Sequence, residues 1–132
     1  MTAVIYARYS SSSQREASIE EQVRICKQFA DRNGYMVAHV YKDSAITGKT
    51  DKRPEFQLLL KECTKKPFDA VIVYSIDRFG RNLLQSLGNA SKIEDCGICL
   101  LSATEVFTNT PSGKLHRNMM MCYAQYLSLI HI

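Results

Sequence analysis

Two short stretches hold the residues whose types and spacing could do chemistry: Tyr6-Ala7-Arg8-Tyr9-Ser10, which closes the first apolar run, and Asp77-Arg78-Phe79-Gly80-Arg81, which closes the third. In an extended strand side chains alternate between faces, so Tyr6, Arg8 and Ser10 point the same way. A serine hydroxyl is thereby delivered to a strand end beside a guanidinium, with two more arginines and a carboxylate on another strand end. No histidine accompanies it in either stretch. A hydroxyl among arginines suits attack on a phosphodiester better than attack on a carbonyl. Arginine's planar donor fork matches phosphate oxygens, and its charge opposes the negative charge that builds up in phosphoryl transfer. Taken alone, Ser10 reads as a serine that opens a loop, and Asp77 with Arg78 as a surface ion pair. A simple pair leaves Arg81 unexplained.

The elements that must position these residues are legible as apolar runs. Residues 3–9, 36–41, 69–75 and 97–102 read as strands, with helical patterns between them. Ser18-Ile19-Glu20-Glu21 is a capping box ahead of Ile19, Val23, Cys26 and Ala30 at helical spacing, and Asn33-Gly34 stops that helix. Pro54 suits a first helical turn, with Phe56, Leu59, Leu60 and Cys63 behind it. Leu83, Leu84, Leu87, Ala90 and Ile93 form a third pattern that closes near Gly97. Pro111 opens a fourth, with Leu115, Met119, Cys122 and Tyr126 along one face. Alternating strands and helices, with strands apolar almost throughout, predict an α/β fold: a mostly parallel central sheet of about four to five strands flanked by helices. Ligands in such folds gather beyond the carboxyl ends of the strands. Ser10, the 77–81 block and residues 102–105 all follow strand ends, so three candidate segments are expected on one edge. The link 42–53, rich in Gly, Thr, Ser and Lys, is expected to border the same cleft.

Composition narrows the class. At 132 residues with 45% apolar content the chain is expected to be one ordered domain. Seventeen basic against thirteen acidic residues, a net charge of +4, permits a polyanionic partner without demanding one. The five cysteines (26, 63, 96, 99 and 122) are an odd number without disulfide-like regularity, which suggests reduced thiols in a cytoplasmic setting. Cys96-Gly97-Ile98-Cys99 has metal-like spacing, but no second pair completes a zinc site, and core thiols are the expected reading. No apolar run approaches the ~20 residues of a membrane span, and the N-terminus lacks a signal-peptide pattern. Asp43 and Glu105 fall in no carboxylate cluster and read as loop and polar-network residues, and there is no Gly-rich phosphate loop. Neither a metal, another cofactor nor a nucleotide is therefore expected. His39 reads as a strand residue and His116 as a helix-face residue.

Taken in order, the motifs resemble one family. Tyr6-Ala7-Arg8-Tyr9-Ser10, Gln14, Ser18-Ile19-Glu20-Glu21-Gln22, Asp43-Ser44-Ala45-Ile46-Thr47-Gly48, Arg53-Pro54-Glu55-Phe56, Asp77-Arg78-Phe79-Gly80-Arg81 and a helix beginning near Gly113-Lys114 are similar to the catalytic domain of the serine recombinases, meaning resolvases, invertases and large serine integrases. The 43–48 and 53–56 forms look closer to the large integrase or transposon-type branch. The resemblance spans residues 3–126 and implies a resolvase-like domain that cleaves and rejoins DNA through a 5′-phosphoserine. It implies Ser10 as nucleophile, with Arg8, Arg78 and Arg81 on the phosphate and Asp77 orienting them or assisting proton transfer. Tyr6 and Gln22 would position the serine. Gln14, Asp43, Thr47 and Arg53 would lie near the phosphate path, Thr47 standing where the family commonly has serine. DNA as partner, a homodimer or tetramer of the intact protein, and a bacterial, phage or mobile-element setting are implied likewise.

The resemblance is expected to stop after Tyr126. Residues 1–126 then form the catalytic domain with a shortened last helix, and 127–132, which include His131, form a tail outside the family pattern. Such a chain is expected to fold but not to recombine DNA by itself. Two alternatives remain open at the level of sequence: a fragment that only associates with recombinase subunits, and a metal-dependent nuclease or small-molecule α/β enzyme. The intact Arg8, Ser10, Arg78 and Arg81 set argues against the first, and the missing carboxylate cluster against the second.

Overall fold

The computed structural model of the chain describes residues 1–10, 18–45, 54–65, 67–75, 83–105, 112–113, 115 and 117–119, with backbone alone at 9, 10, 44, 45 and 83–86. Strands and helices alternate as β1 (Thr2–Ser10), α1 (Ile19–Arg32), β2 (Met36–Ala45), α2 (Pro54–Cys63), β3 (Ala70–Val73), α3 (Leu83–Asp95) and β4 (Cys99–Ser102). The strands stand in the order β2-β1-β3-β4 and every neighbouring pair is parallel. This is the expected α/β sheet, with four strands among the described residues.

That order reverses direction once. The chain steps from β1 outward to β2, then crosses back over β1 to β3 and on to β4. Parallel crossovers keep one hand, so a reversal of direction moves the connecting helices to the opposite face. The core divides accordingly. Cys26 and Ala30 of α1 pack with Ala3, Ile5, Ala70 and Ile72 on one face. Phe56, Leu59 and Cys63 of α2 and Ala90 and Ile93 of α3 pack with Val4, Tyr6, Val71 and Val73 on the other. Because both faces are covered, β3 is buried at every position, which is why it reads as an unbroken apolar run.

Local signals set the helix ends. The Ser18 hydroxyl accepts the Glu21 N–H at 3.2 Å, capping α1 as its sequence predicts. At the other end Gly34 has φ +76°, in the left-handed region that favours glycine, and Gly97 (φ +79°) does the same after α3. Pro54 begins α2.

Strand limits differ from the sequence reading where pairing overrides composition. β2 does not end at Tyr41; it runs to Ala45, so Asp43 lies in a strand and not in a loop. β1 continues to Ser10, and its backbone pairs with Lys42, Asp43, Ser44 and Ala45 whatever their polarity. β3 is shorter than expected, and β4 begins at Cys99. Between Ala3 and Val4 the β1–β2 register also shifts by one residue, a bulge at Ala38. It has a consequence for packing. Val37 and Val40 are three apart and would face opposite sides of a regular strand, yet both pack on the α1 side. The bulge thereby sets Tyr41 opposite Tyr6, both packing on the α2 side, and Asp43 opposite Arg8.

Residues 112, 113, 115 and 117–119 are helical, as expected, but the inward face is not the apolar one. Leu115 and Met119 are 60% and 62% exposed, whereas Gly113 and Arg117 are buried. The cause is polar: Arg117 Nη2 lies 2.8 Å from Glu94 Oε1 on α3 and donates to Asn118 Oδ1 at 3.3 Å. Cys122 and Tyr126 lie outside the described residues, as does the 127–132 segment. Cys96 packs against the α2/α3 core and Cys99 against the α1 core, so the two thiols of the Cys96–Cys99 motif serve opposite faces of the sheet. Burial pushes the Cys26 thiol up to about 12. Burial, with Cys96 nearby, pushes Cys63 up to about 11. Both behave as core groups.

Candidate active site at the carboxyl edge of the sheet

In an all-parallel sheet the carboxyl ends of the strands share one edge, and open sheets of this kind take their ligands where the strand order reverses. Here that point is the end of β1. β3 pairs with β1 only as far as Tyr6, opposite Val73, while β2 accompanies β1 to its last residue, Ser10 opposite Ala45. The backbone therefore carries Ser10 four residues beyond the last β3 pairing.

Past Tyr6, β1 has no strand on its β3 side among the described residues, and Gln22 pairs with its backbone there. The Arg8 N–H donates to Gln22 Oε1 at 3.3 Å, and Gln22 Nε2 donates to the Arg8 carbonyl at 2.9 Å. A carboxamide carries one acceptor and two donors, so it can pair with a peptide group as a neighbouring strand would. Gln22 is fully buried and shares the inward stripe of α1 with Cys26 and Ala30. Without it, two buried backbone groups two residues before Ser10 would lose their partner. Arg8 itself is only 4% exposed.

On the other side of β1, Asp43 ties three elements together. Its Oδ2 accepts the Tyr6 hydroxyl at 2.8 Å and the Phe56 N–H at 3.0 Å, and its Oδ1 accepts the Glu55 N–H at 3.1 Å. The carboxylate thus caps the first turn of α2 from a distant strand, where the helix dipole favours negative charge. The Tyr6 ring packs on Phe56 with centroids 5.0 Å apart, so the same contact is closed by apolar area. Asp43 is 5% exposed, and three donors compensate its burial.

The ends of β3 and β4 are also joined. The Ala103 N–H donates to the Val73 carbonyl at 2.8 Å. The Tyr74 carbonyl accepts from the Thr104 N–H at 3.2 Å and the Thr104 hydroxyl at 2.7 Å. Among the described residues no group of three or more His, Cys, Asp or Glu could hold a metal ion, and no helix is long and apolar enough to cross a membrane.

Of the residues singled out from the sequence, the structure brings Tyr6, Arg8, Gln22 and Asp43 together and places the backbone of Ser10 at the end of β1. Gln14, Thr47, Arg53, Asp77, Arg78 and Arg81 lie outside the described residues. The capping role of Asp43 escaped the sequence reading. One signal for it existed: α2 opens Arg53-Pro54-Glu55 with no Ser, Thr, Asp or Asn directly ahead of the proline, so its first amides need an acceptor from elsewhere. The hold of Thr104 on Tyr74 was also missed, and only the proximity of 102–105 to a strand end hinted at it.

The fold is shared with known proteins. The chain is 27% identical over 113 residues to the Bacillus subtilis (strain 168) protein named "Putative DNA recombinase", an alignment covering 84% of this chain and 22% of that protein. It spans, then, little more than a fifth of the length of this curated relative. It is similar to the crystal structure of the N-terminal catalytic domain of TP901-1 integrase, with a TM-score of 0.77, 25% identity and 100% coverage of both chains. It is also similar to the C-terminal catalytic domain of ISC1926 TnpA, an IS607-like serine recombinase, with a TM-score of 0.66, 27% identity and coverage of 92% and 80%. A resolvase family site-specific recombinase from Streptococcus pneumoniae shares the fold, with a TM-score of 0.73 and 24% identity over 99% of this chain and 87% of that one. The sequence profile "Resolvase, N terminal domain" matches residues 3–131, and by that match the chain belongs to the resolvase N-terminal domain family.

Proposed function

We propose that this chain is the catalytic domain of a site-specific DNA recombinase in which the Ser10 hydroxyl attacks a scissile phosphodiester. The new bond joins Ser10 Oγ to phosphorus, the broken bond frees a 3′-hydroxyl, and the serine proton passes to the leaving oxygen. The product is a 5′-phosphoserine, and attack by a 3′-hydroxyl from an exchanged strand reverses the step and restores Ser10. Phosphodiester energy is kept in the serine link, so the reaction draws on neither a nucleotide nor a metal. Arg8, Arg78 and Arg81 hold the phosphate oxygens and oppose the charge of the transition state, and one such donor is worth ~2.7–4 kcal/mol. Asp77 orients those arginines or relays the proton. Gln14, Thr47 and Arg53 line the approach of the phosphate. In the intact protein the domain works as a dimer or tetramer on DNA, in the cytoplasm of a bacterium or with a phage or other mobile element.

The observation that carries this reading is the arrangement at the end of β1. A serine stands on the longest central strand, at the reversal of the sheet, two residues beyond a backbone clamped on one side by Gln22 and tied on the other through Tyr6 and Asp43. A nucleophile needs such rigid support, because an error of about 1 Å at the reacting atom can cost on the order of 10²-fold in rate. The test is trapping of a covalent protein–DNA adduct on a nicked site, with the domain in a full-length recombinase and EDTA present. Ser10→Ala should abolish the adduct and leave DNA binding nearly unchanged. Residual adduct in the variant would place the nucleophile elsewhere, and adduct or cleavage lost to EDTA would favour a metal-dependent nuclease.

A further inference from the structure

The exit of β4 holds the exit of β3 through a small hydroxyl cluster that the catalytic reading leaves unused. The Tyr74 carbonyl accepts from the Thr104 hydroxyl at 2.7 Å and from the Thr104 N–H at 3.2 Å, and Ser102 Oγ lies 3.5 Å away. A carbonyl oxygen has two lone pairs, and the two Thr104 donors fill them. Ser102 has a single hydroxyl proton, and its nearer acceptor is Glu105 Oε1 at 3.3 Å, while Ser102 Oγ accepts the Glu105 N–H at 3.2 Å. The division of labour follows. Ser102, buried to 4% exposure, and Glu105 close the turn after β4 on itself, and Thr104 reaches across to Tyr74.

Tyr74 directly follows β3 and is three residues before Asp77 in the sequence, on the way to Arg78 and Arg81. We infer that Thr104 is a positioning residue for the reaction, acting through the Tyr74 carbonyl to fix where the chain leaves β3. This rests on the reading given above, in which Arg78 and Arg81 act on the phosphate. It adds a residue on β4's side of the site whose own side chain touches no substrate. Two further facts suit that role. The Ala103 N–H to Val73 bond extends β3–β4 pairing to the end of β3, so the Thr104 bonds continue a regular ladder. Thr104 is also exposed, so its hydroxyl contributes little to core stability.

Thr104→Val keeps the β-branched shape and the backbone N–H and removes only the 2.7 Å bond; Thr104→Ser keeps the bond. In a full-length recombinase carrying this domain, we would measure adduct formation at saturating enzyme on a nicked site, DNA affinity and thermal midpoint. Arg78→Lys and the Thr104→Val/Arg78→Lys pair would be measured alongside. T104V should slow adduct formation about tenfold with affinity and midpoint unchanged, and T104S should restore the rate. In the Arg78→Lys background, T104V should add less than about twofold, because both changes act on the same contact. A normal rate for T104V beside an impaired R78K would overturn this inference alone. So would a T104V loss that tracks the thermal midpoint. A normal rate for R78K would remove the reading of Arg78 and the inference with it.

Discussion

Replacing Asp43 by asparagine tests the support of the site without touching the proposed chemistry. The carboxylate accepts three hydrogen bonds: Tyr6 Oη and Phe56 N on one oxygen, Glu55 N on the other. An asparagine has one acceptor oxygen. Turned to keep Tyr6 and Phe56, it sets its NH2 against the Glu55 N–H; turned the other way, it loses two bonds to keep one. At least one charge-assisted bond, worth about 1.5–3 kcal/mol, is therefore lost. The negative charge that complements the start of α2 goes with it, worth about 0.3–1 kcal/mol and more when partly buried. Asp43→Asn should cost about 2–4 kcal/mol of folding stability. Tyr6→Phe leaves the carboxylate with two donors and should cost about 1–2 kcal/mol. The double variant should fall short of their sum by about 1 kcal/mol, since Tyr6 has already lost its charged acceptor once Asp43 is replaced. Urea unfolding of the four proteins, at constant m-value, measures the cycle. A cost under about 1 kcal/mol for Asp43→Asn, or strict additivity with Tyr6→Phe, would refute the picture of one carboxylate joining β1, β2 and α2.

The thiols give a dependence on pH with a definite sign. Cys26 ionises ordinarily at 9.0 but at about 12 in the fold, so above pH 9 the unfolded chain releases a proton that the folded chain keeps. Its contribution is complete below pH 9 and lost as pH rises toward 12, at up to about 1.4 kcal/mol per pH unit. Cys26→Ala should flatten that alkaline decline, and an unchanged decline would contradict it. At pH 8 an aromatic disulfide reagent should leave Cys26 and Cys63 unmodified in the native protein, and rapid native labelling of either would show that it is not buried. Glu94→Gln should release the 112–119 segment, because Arg117 then stays buried without its 2.8 Å partner. Amide exchange there should accelerate at least tenfold and recover in part in the charge-reversed pair Glu94→Arg with Arg117→Glu, whereas equal exchange in all three would deny the ion pair that role.

The sequence by itself determined the elements and the chemistry they could carry. Periodicity, the Ser18 cap and the stops at Gly34 and Gly97 are local properties, so they located α1, α2, α3 and the strand cores without knowledge of neighbours. The unbroken apolar run of β3 already required a sheet covered on both faces. Arg8 and Ser10 were legible because an alternating strand fixes their common direction. What the tertiary structure decided are matters of pairing and packing between distant segments. The bulge at Ala38, the extension of β2 through Asp43, and the turning inward of Arg117 in place of Leu115 and Met119 all arise from partners 30 or more residues away or on another element, such as β1 for β2 and Glu94 for Arg117. Asp43 reads alone as a loop or polar-network residue because burial opposes a charged group, and Gln22 stands out only through the family resemblance. They are buried here because each finds backbone or hydroxyl partners that only the folded chain brings within reach.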